Sequence, residues 1–334
     1  RYTASVSGRR DASNMFGVKT NDRWNPLWSA GLKWRIDAEP FYRVAWLDEL
    51  SLRATYGVSG NALTTGAALT TVYHLGPDLY SRLNSAQVDQ VANASLRWEK
   101  NRQWNLGLDF RGKGNRLSGS LEFYHKRNID LYGPALLDYT AGLNRSFIND
   151  NIASMKGYGL ELSLEAVVMK QKLFQWQAGL LFNYQQSLVT DFYRSSTAAR
   201  LLVRNGSTIA PVPGKPVYSI FSYRWAGLDA QGDPQGYLEG KPSKDYRAIT
   251  NNDSGVASLV YGGSALPPVF GAISQQLRYK GLECSFNITC KLGYYYRRPS
   301  INYNSLFGGG SGDPDYTQRW QQPGDELITD VPSM

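Results

Sequence analysis

Residues 103–123 read QWNLGLDFRGKGNRLSGSLEF. Trp104, Leu106, Leu108 and Phe110 alternate with Gln103, Asn105, Gly107 and Asp109. Beyond a short break, Leu117, Leu121 and Phe123 alternate with Ser118, Ser120 and Glu122. Successive side chains of a strand point to opposite faces, so this period of two predicts strands with one apolar and one polar side. The break at Gly112–Asn115, rich in Gly and Asn, predicts a tight turn. The stretch is a hairpin.

The same period runs through most of the chain. Tyr2, Ala4 and Val6 form one apolar set; Trp28, Ala30, Leu32, Trp34 and Ile36 a second; Leu50, Leu52, Ala54 and Tyr56 a third. Further sets are Leu160, Leu162, Leu164 and Ala166; Phe174, Trp176, Ala178, Leu180, Phe182 and Tyr184; Ile273, Leu277 and Tyr279; and Leu282, Cys284, Phe286, Ile288 and Cys290. With the hairpin, nine strands are expected. Alternation alone leaves open which face is wet. In a soluble sandwich the apolar face is the core, whereas in a transmembrane β-barrel it meets lipid and the polar face lines the lumen.

Connection length separates the two. The turns at Gly112–Asn115, Lys170–Lys172 and Lys280–Gly281 are short, and the connections Val58–Arg102, Arg127–Lys156, Asp191–Pro267 and Arg297 onward are long. Short and long alternate in order, as tight periplasmic turns and large extracellular loops do in outer-membrane barrels. Compact soluble domains rarely hold loops longer than about 15 residues. Asp37–Glu49 falls where a short turn belongs and is read as an elaborated periplasmic turn. Val217–Trp225 is strand-like but falls within a long connection, as an extracellular hairpin.

Composition agrees. Aromatic residues make up 13% of the chain, including 22 Tyr and 9 Trp, the types that settle at membrane–water interfaces. No apolar run is long enough for a membrane-spanning helix. The net charge of +8 comes from scattered Lys and Arg with no basic helix, so nucleic acid is not an expected partner. Cys284 and Cys290 lie six residues apart in one strand, roughly 20 Å, beyond disulfide reach.

Several stretches resemble the barrel half of the SusC/RagA class of TonB-dependent outer-membrane transporters. They are LSLRATYGVSGN (Leu50–Asn61), LRWEKNRQWNLGLDF (Leu96–Phe110), RLSGSLEFYH (Arg116–His125) and GYGLELSL (Gly157–Leu164). Tyr-Arg-Trp-Ala-Gly-Leu-Asp within Gly214–Gly232, and RWQQPGD (Arg319–Asp325), resemble loop segments of that class. The resemblance implies a barrel of twenty-two strands closed by an N-terminal plug. No plug and no TonB-contact segment is found here. The expectation is therefore that residues 1–334 are part of a β-barrel domain, with the plug and the final strands outside the chain. It further implies active import across the outer membrane of a Gram-negative bacterium. A SusD-like surface lipoprotein would act as lid, TonB–ExbB–ExbD would supply energy through the missing N-terminal region, and a glycan or peptide would be the solute.

Enzyme chemistry is not expected. The only histidines, His74 and His125, offer little for a His-based triad, and no Cys/His spacing suits zinc. No cofactor is expected. Glu161 and Glu165 share a strand face and are read as lining a watery interior. Asp229-Ala-Gln-Gly-Asp233 looks superficially like a calcium loop, but Gln231 stands where a ligand belongs, so a tight polar turn is expected. Trp28, Trp34, Trp104 and Tyr294–Tyr296 read as interfacial girdle, with Tyr295 on the opposite face from its neighbours. Tyr223, Trp225 and Tyr295 are the candidates for substrate or partner contact. Two competing readings are a siderophore or cobalamin receptor without a lid and, from another class, a secreted β-sandwich that binds carbohydrate.

Overall fold

The structure, a computed structural model, describes residues 1–13, 24–62, 69–93, 95–136, 147–193, 199–203, 209, 211–251, 255–310 and 312–333. The centres of the connections after Ala12, Asn61, Leu136 and Phe192, and Ser311 of the Gly308–Gly312 stretch, lie outside the described residues. Two compact units result: Arg1–Arg194 with Pro213–Pro216 and Pro268–Gly293, and Ser195–Val212 with Val217–Pro267 and Tyr294–Met334.

The first unit is built on one sheet. Its strands are β1 (Tyr2–Ala12), β2 (Trp24–Arg35) and β3 (Leu47–Asn61), then, past the hairpin β4 (Thr71–Pro77) and β5 (Asn84–Gln90), β6 (Glu99–Gly112), β7 (Leu117–Leu136), β8 (Phe147–Lys170) and β9 (Phe174–Phe192). The last two, β15 (Val269–Tyr279) and β16 (Leu282–Leu292), complete nine strands in the order β1-β2-β3-β6-β7-β8-β9-β15-β16. Every pair is antiparallel. All nine expected strands are present.

Register turns the alternation of single strands into rows across the sheet. One row runs Tyr2, Trp34, Leu52, Leu108, Leu121, Leu162, Phe182, Gly271 and Cys290. The next runs Ala4, Leu32, Ala54, Leu106, Phe123, Leu160, Tyr184, Val269 and Leu292. Two adjacent rows are thus without a charge or an amide. This face is not the interior of a sandwich. Leu106 is 47% exposed and Ile288 59% exposed, Phe286 is exposed, and Trp176, Leu180 and Leu162 are only half-buried. Aromatic side chains flank the aliphatic rows: Trp28 with Tyr56 and Trp104 with Phe123 toward the long connections, Tyr2 with Trp34 toward the short turns. Trp28 and Trp34 are six residues apart on β2, about 20 Å, close to the apolar band between aromatic girdles of an outer-membrane barrel.

One difference from the sequence reading in this sheet has a local cause. Arg127–Lys156 was expected as a long loop, but β7 continues to Leu136 and β8 begins at Phe147. A bulge between Asn128 and Leu131, with Asp130 at φ 58°, shifts the alternation out of phase there. Beyond it the extension has its own core of Ala135, Ile152 and Ala153 against Leu131, Ile148 and Phe192. Leu96 and Trp98 are buried just before β6, and the Asn151 amide holds this segment by accepting from the Arg97 N–H (2.7 Å) and donating to its carbonyl (2.9 Å).

The elaborated turn between β2 and β3 is as expected, with a 3₁₀ turn at Ile36–Ala38. Arg35 donates to Asp37 at 2.6 Å and the Trp34 indole donates to Glu39 at 3.1 Å. The Arg35 hydrogen bond holds the Asp37 carboxyl below its ordinary range.

In the second unit, β10 (Ser219–Tyr223) pairs with β14 (Leu259–Ser264), while β11 (Trp225–Leu228), β12 (Pro234–Leu238) and β13 (Lys241–Ser243) form a three-stranded sheet. Val217–Trp225 is therefore not a local hairpin: it divides at Arg224 between two sheets. Leu202, Val212 and Phe221, with Leu259, form the core. The RWQQPGD stretch is folded by its own side chains. Asp325 accepts from the N–H groups of Gln321 and Gln322 at 3.0 Å each, and Gly324 supplies φ 104°. Trp320 lies over Gly232, where a Cβ would approach its ring to 2.5 Å.

Candidate functional site

The polar face of the nine-stranded sheet carries the side chains with chemistry, and these sort into two zones. Toward the short turns they are charged. Thr3, Lys33, Arg53, Gly107, Glu122, Glu161 and Asn183 share one row, and Arg35, Ser51, Asp109, Ser120 and Ser163 the next. Arg53 is the hub. Its Nε and Nη2 donate to the two oxygens of Asp109 at 2.8 and 3.1 Å, and Nη2 lies 3.5 Å from Glu122. Gly107 permits this: a Cβ there would stand 3.0 Å from Nη2. Arg111 and Glu49 pair at 3.1 Å nearer the turn. A hollow here is lined by Lys33, Arg35, Asp37, Glu49, Asp109 and Glu165, among others.

Arg53→Met should destabilise the sheet by about 1 kcal/mol, the upper range for a partly exposed bidentate pair. Denaturant unfolding would measure it, and Asp109→Asn should cost little more once Arg53 is gone. Full additivity of the two changes would contradict the pairing.

Toward the long connections the same face is largely neutral. Ser5, Gly31, Thr55, Asn105 and Tyr124 share a row, followed by Ser7, Ser29, Gly57, Gln103 and Lys126. Ser7 and Ser29 hydroxyls are 2.7 Å apart; Gln103 donates to Asn105 at 2.7 Å, and Asn105 to Thr55 at 3.1 Å. Leu181 and Phe270 are apolar exceptions elsewhere on the polar face.

The residues singled out as contact candidates lie at three places in the second unit. Tyr223 ends β10 opposite Leu259, half-buried, and burial pushes its phenol up. Trp225 opens β11 and is exposed. Tyr295 donates its N–H to the Ser264 carbonyl (2.8 Å), at the other end of the β10–β14 ribbon from Tyr223. Tyr294–Tyr296 lie beyond β16, outside any strand, and all three are exposed. The alternation expected to turn Tyr295 away from its neighbours does not apply to them. Asp229–Asp233 is the tight polar turn: Asp229 accepts from the N–H groups of Gln231 and Asp233 at 2.9 Å each. The Lys244 ammonium sits between the carboxylates, 2.7 Å from Asp229 and 3.0 Å from Asp233.

That turn has a definite pH response. Hydrogen bonds from Lys244 and backbone donors hold the Asp229 carboxyl low, and both carboxylates hold the lysine high. A depressed carboxyl stabilises the fold above its unfolded pKa of about 3.9 and loses that contribution as pH falls through the folded value. Amide exchange at Gln231 and Asp233 should stay slow from neutral pH down to about pH 4 and open below it. Opening near neutrality would contradict the ion-pair geometry.

Comparison with known proteins places the sheet. The profile of the TonB dependent receptor-like, beta-barrel family matches residues 1–257. The chain belongs to that family. TonB-dependent receptor SusC of Bacteroides thetaiotaomicron is 26% identical over 318 residues, which take in 88% of this chain and 30% of SusC. TonB-dependent receptor P39 of Formosa agariphila is 27% identical over 226 residues, 67% of this chain and 21% of P39. Among solved structures, the RagAB peptide transporter superposes with a TM-score of 0.76 at 26% identity, covering all of this chain and 36% of that one. The RagAB peptide importer in its closed-closed state gives 0.75 at 26% identity, covering 99% of this chain and 36% of its own. The SusC/RagA resemblance is borne out, and the chain spans about a third or less of these relatives. TonB-dependent receptors are outer-membrane β-barrels, and membership in that family favours a barrel wall over the soluble sandwich for this two-faced sheet. The family is one of receptors and transporters, not enzymes.

The sequence pointed to Glu161 and Glu165 on the polar face but missed the Arg53–Asp109–Glu122 network. Arg53 and Asp109 occupy polar positions of separate strands, yet nothing in the sequence sets their register across the long connection between β3 and β6.

Proposed function

We propose that residues 1–334 are a wall segment of one β-barrel domain in an outer-membrane active importer of oligomeric nutrients, glycan or peptide, of a Gram-negative bacterium. The observation that carries this reading is the two-faced sheet: unbroken apolar rows on one side, an ion-paired and hydroxyl-lined surface on the other. A wall of that kind suits lipid outside and a watery path inside. Similarity to SusC and to the RagAB peptide importer supports the import role.

In this reading a SusD-like surface lipoprotein captures solute and caps the barrel. The TonB–ExbB–ExbD system acts on a plug encoded outside these residues. Tyr223, Trp225 and Tyr295 offer exposed or half-buried aromatic surface for the solute or the lid. The test is a strain lacking the coding region. It should lose uptake of its oligomeric nutrient and regain it with the intact gene, but not when tonB is also deleted. A surface lipoprotein should co-purify with the intact protein. Uptake unchanged by either deletion would overturn the proposal.

A further inference from the structure

We infer that the neutral zone of the polar face, near the long connections, is a hydroxyl-binding subsite for an uncharged polyhydroxylated chain, an oligosaccharide rather than a peptide. The inference rests on the importer reading and narrows its substrate class. A hollow in this zone has Ser7, Ser29, Thr55, Asn101, Gln103 and Asn105 in its lining, among others that include Trp28 and Tyr56. Asn101, Gln103 and Asn105 stand on alternate positions of β6, so all three project to the polar side at intervals of about 7 Å. Thr55 and Ser29 follow on the neighbouring strands, so the groups form a grid across β2, β3 and β6.

Chemistry selects the ligand. Hydroxyl and carboxamide side chains both donate and accept hydrogen bonds, and sugar hydroxyls do the same. A surface of such groups can satisfy a sugar in several orientations without a fixed charge. Arg9, the ionised side chain at the edge of the hollow, is balanced by Asp11 at 3.1 Å. Lys33, Arg35, Glu49 and Asp109 line a different hollow nearer the short turns.

A peptide would be recognised differently. Its backbone is most readily bound by adding a strand to an open sheet edge, but β2, β3 and β6 each have a paired strand on both sides. Its two charged termini and its charged side chains would call for several fixed charges of both signs, whereas this zone holds only Lys126 and the Arg9–Asp11 pair.

The experiment uses the intact protein, purified from outer membranes and presented to an array of neutral oligosaccharides and oligopeptides. Binding to one or more neutral oligosaccharides is expected. Gln103→Leu combined with Asn105→Leu should weaken it by about tenfold, the loss of roughly two hydrogen bonds. Ser7→Ala with Ser29→Ala removes only two hydroxyl oxygens and should weaken it several-fold while leaving folding intact. Lys33→Ala, in the charged zone, should leave it unchanged. Binding of peptides alone would overturn the inference while leaving the importer reading in place, as would oligosaccharide binding that none of the neutral-zone variants alters. An intact protein that binds neither class, in cells that take up neither, would overturn both.

Discussion

Gly271→Ala should prevent the sheet from closing its ladder between β9 and β15. A Cβ at Gly271 would collide with the Leu181 carbonyl oxygen and lie 3.4 Å from the Cα of Phe182. Those are backbone atoms of the paired strand, so no rotamer relieves the clash. The β9–β15 pairing, continuous from Val269 to Tyr279, would have to part at its third residue pair. The expected cost is about 3 kcal/mol or more, at or beyond the upper end of overpacking. Gly8→Ala is the control. Its Cβ meets nothing within 4 Å, so the change should stay within about 0.5 kcal/mol. Urea unfolding of both variants refolded into lipid vesicles would measure the difference. Equal stabilities would show that β9 and β15 do not pair as described.

Leu106→Arg is the second large effect, and its size depends on what the apolar face touches. Leu106 lies in the middle of an apolar row between Ala54 and Phe123 and is 47% exposed in the protein alone. If that surface met water, an arginine there would change stability by no more than about 0.5 kcal/mol. Facing hydrocarbon near the bilayer midplane it should cost about 2–4 kcal/mol. Asn105→Arg, one residue away on the polar face, should cost far less. The asymmetry between neighbours carries the meaning, since both sites share strand, depth and backbone environment.

The nine strands of the large sheet were legible because each announces itself by alternation, and alternation needs only local sequence. What the sequence could not supply was register over distance. The tight turn at Gly112–Asn115 sets Gly107 opposite Glu122, but Arg53 reaches the same site across a long connection whose length says nothing of pairing. The outer ends of β7 and β8 were hidden for a different reason. The bulge at Asn128–Leu131 interrupts the period, so a paired strand reads as irregular. In the second unit the strands run from three to six residues, too short for periodicity to register, and the Val217–Trp225 run concealed a break at Arg224. Tyr223, Trp225 and Tyr295 were picked for aromatic character in expected loops. Tyr295 lies at the other end of the β10–β14 ribbon from Tyr223, and aromatic character alone carries no information about such placement.

The most direct measurement places an environment-sensitive probe on single cysteines along β6, at Trp104, Asn105, Leu106, Gly107, Leu108 and Asp109, after Cys284 and Cys290 are replaced by alanine. With the intact protein in lipid vesicles, probes at Trp104, Leu106 and Leu108 should be quenched by lipid-borne quenchers, and those at Asn105, Gly107 and Asp109 by water-soluble ones. Probes on the apolar positions shielded from both kinds of quencher would place that face in a protein interior and contradict the assignment of the sheet as a membrane wall.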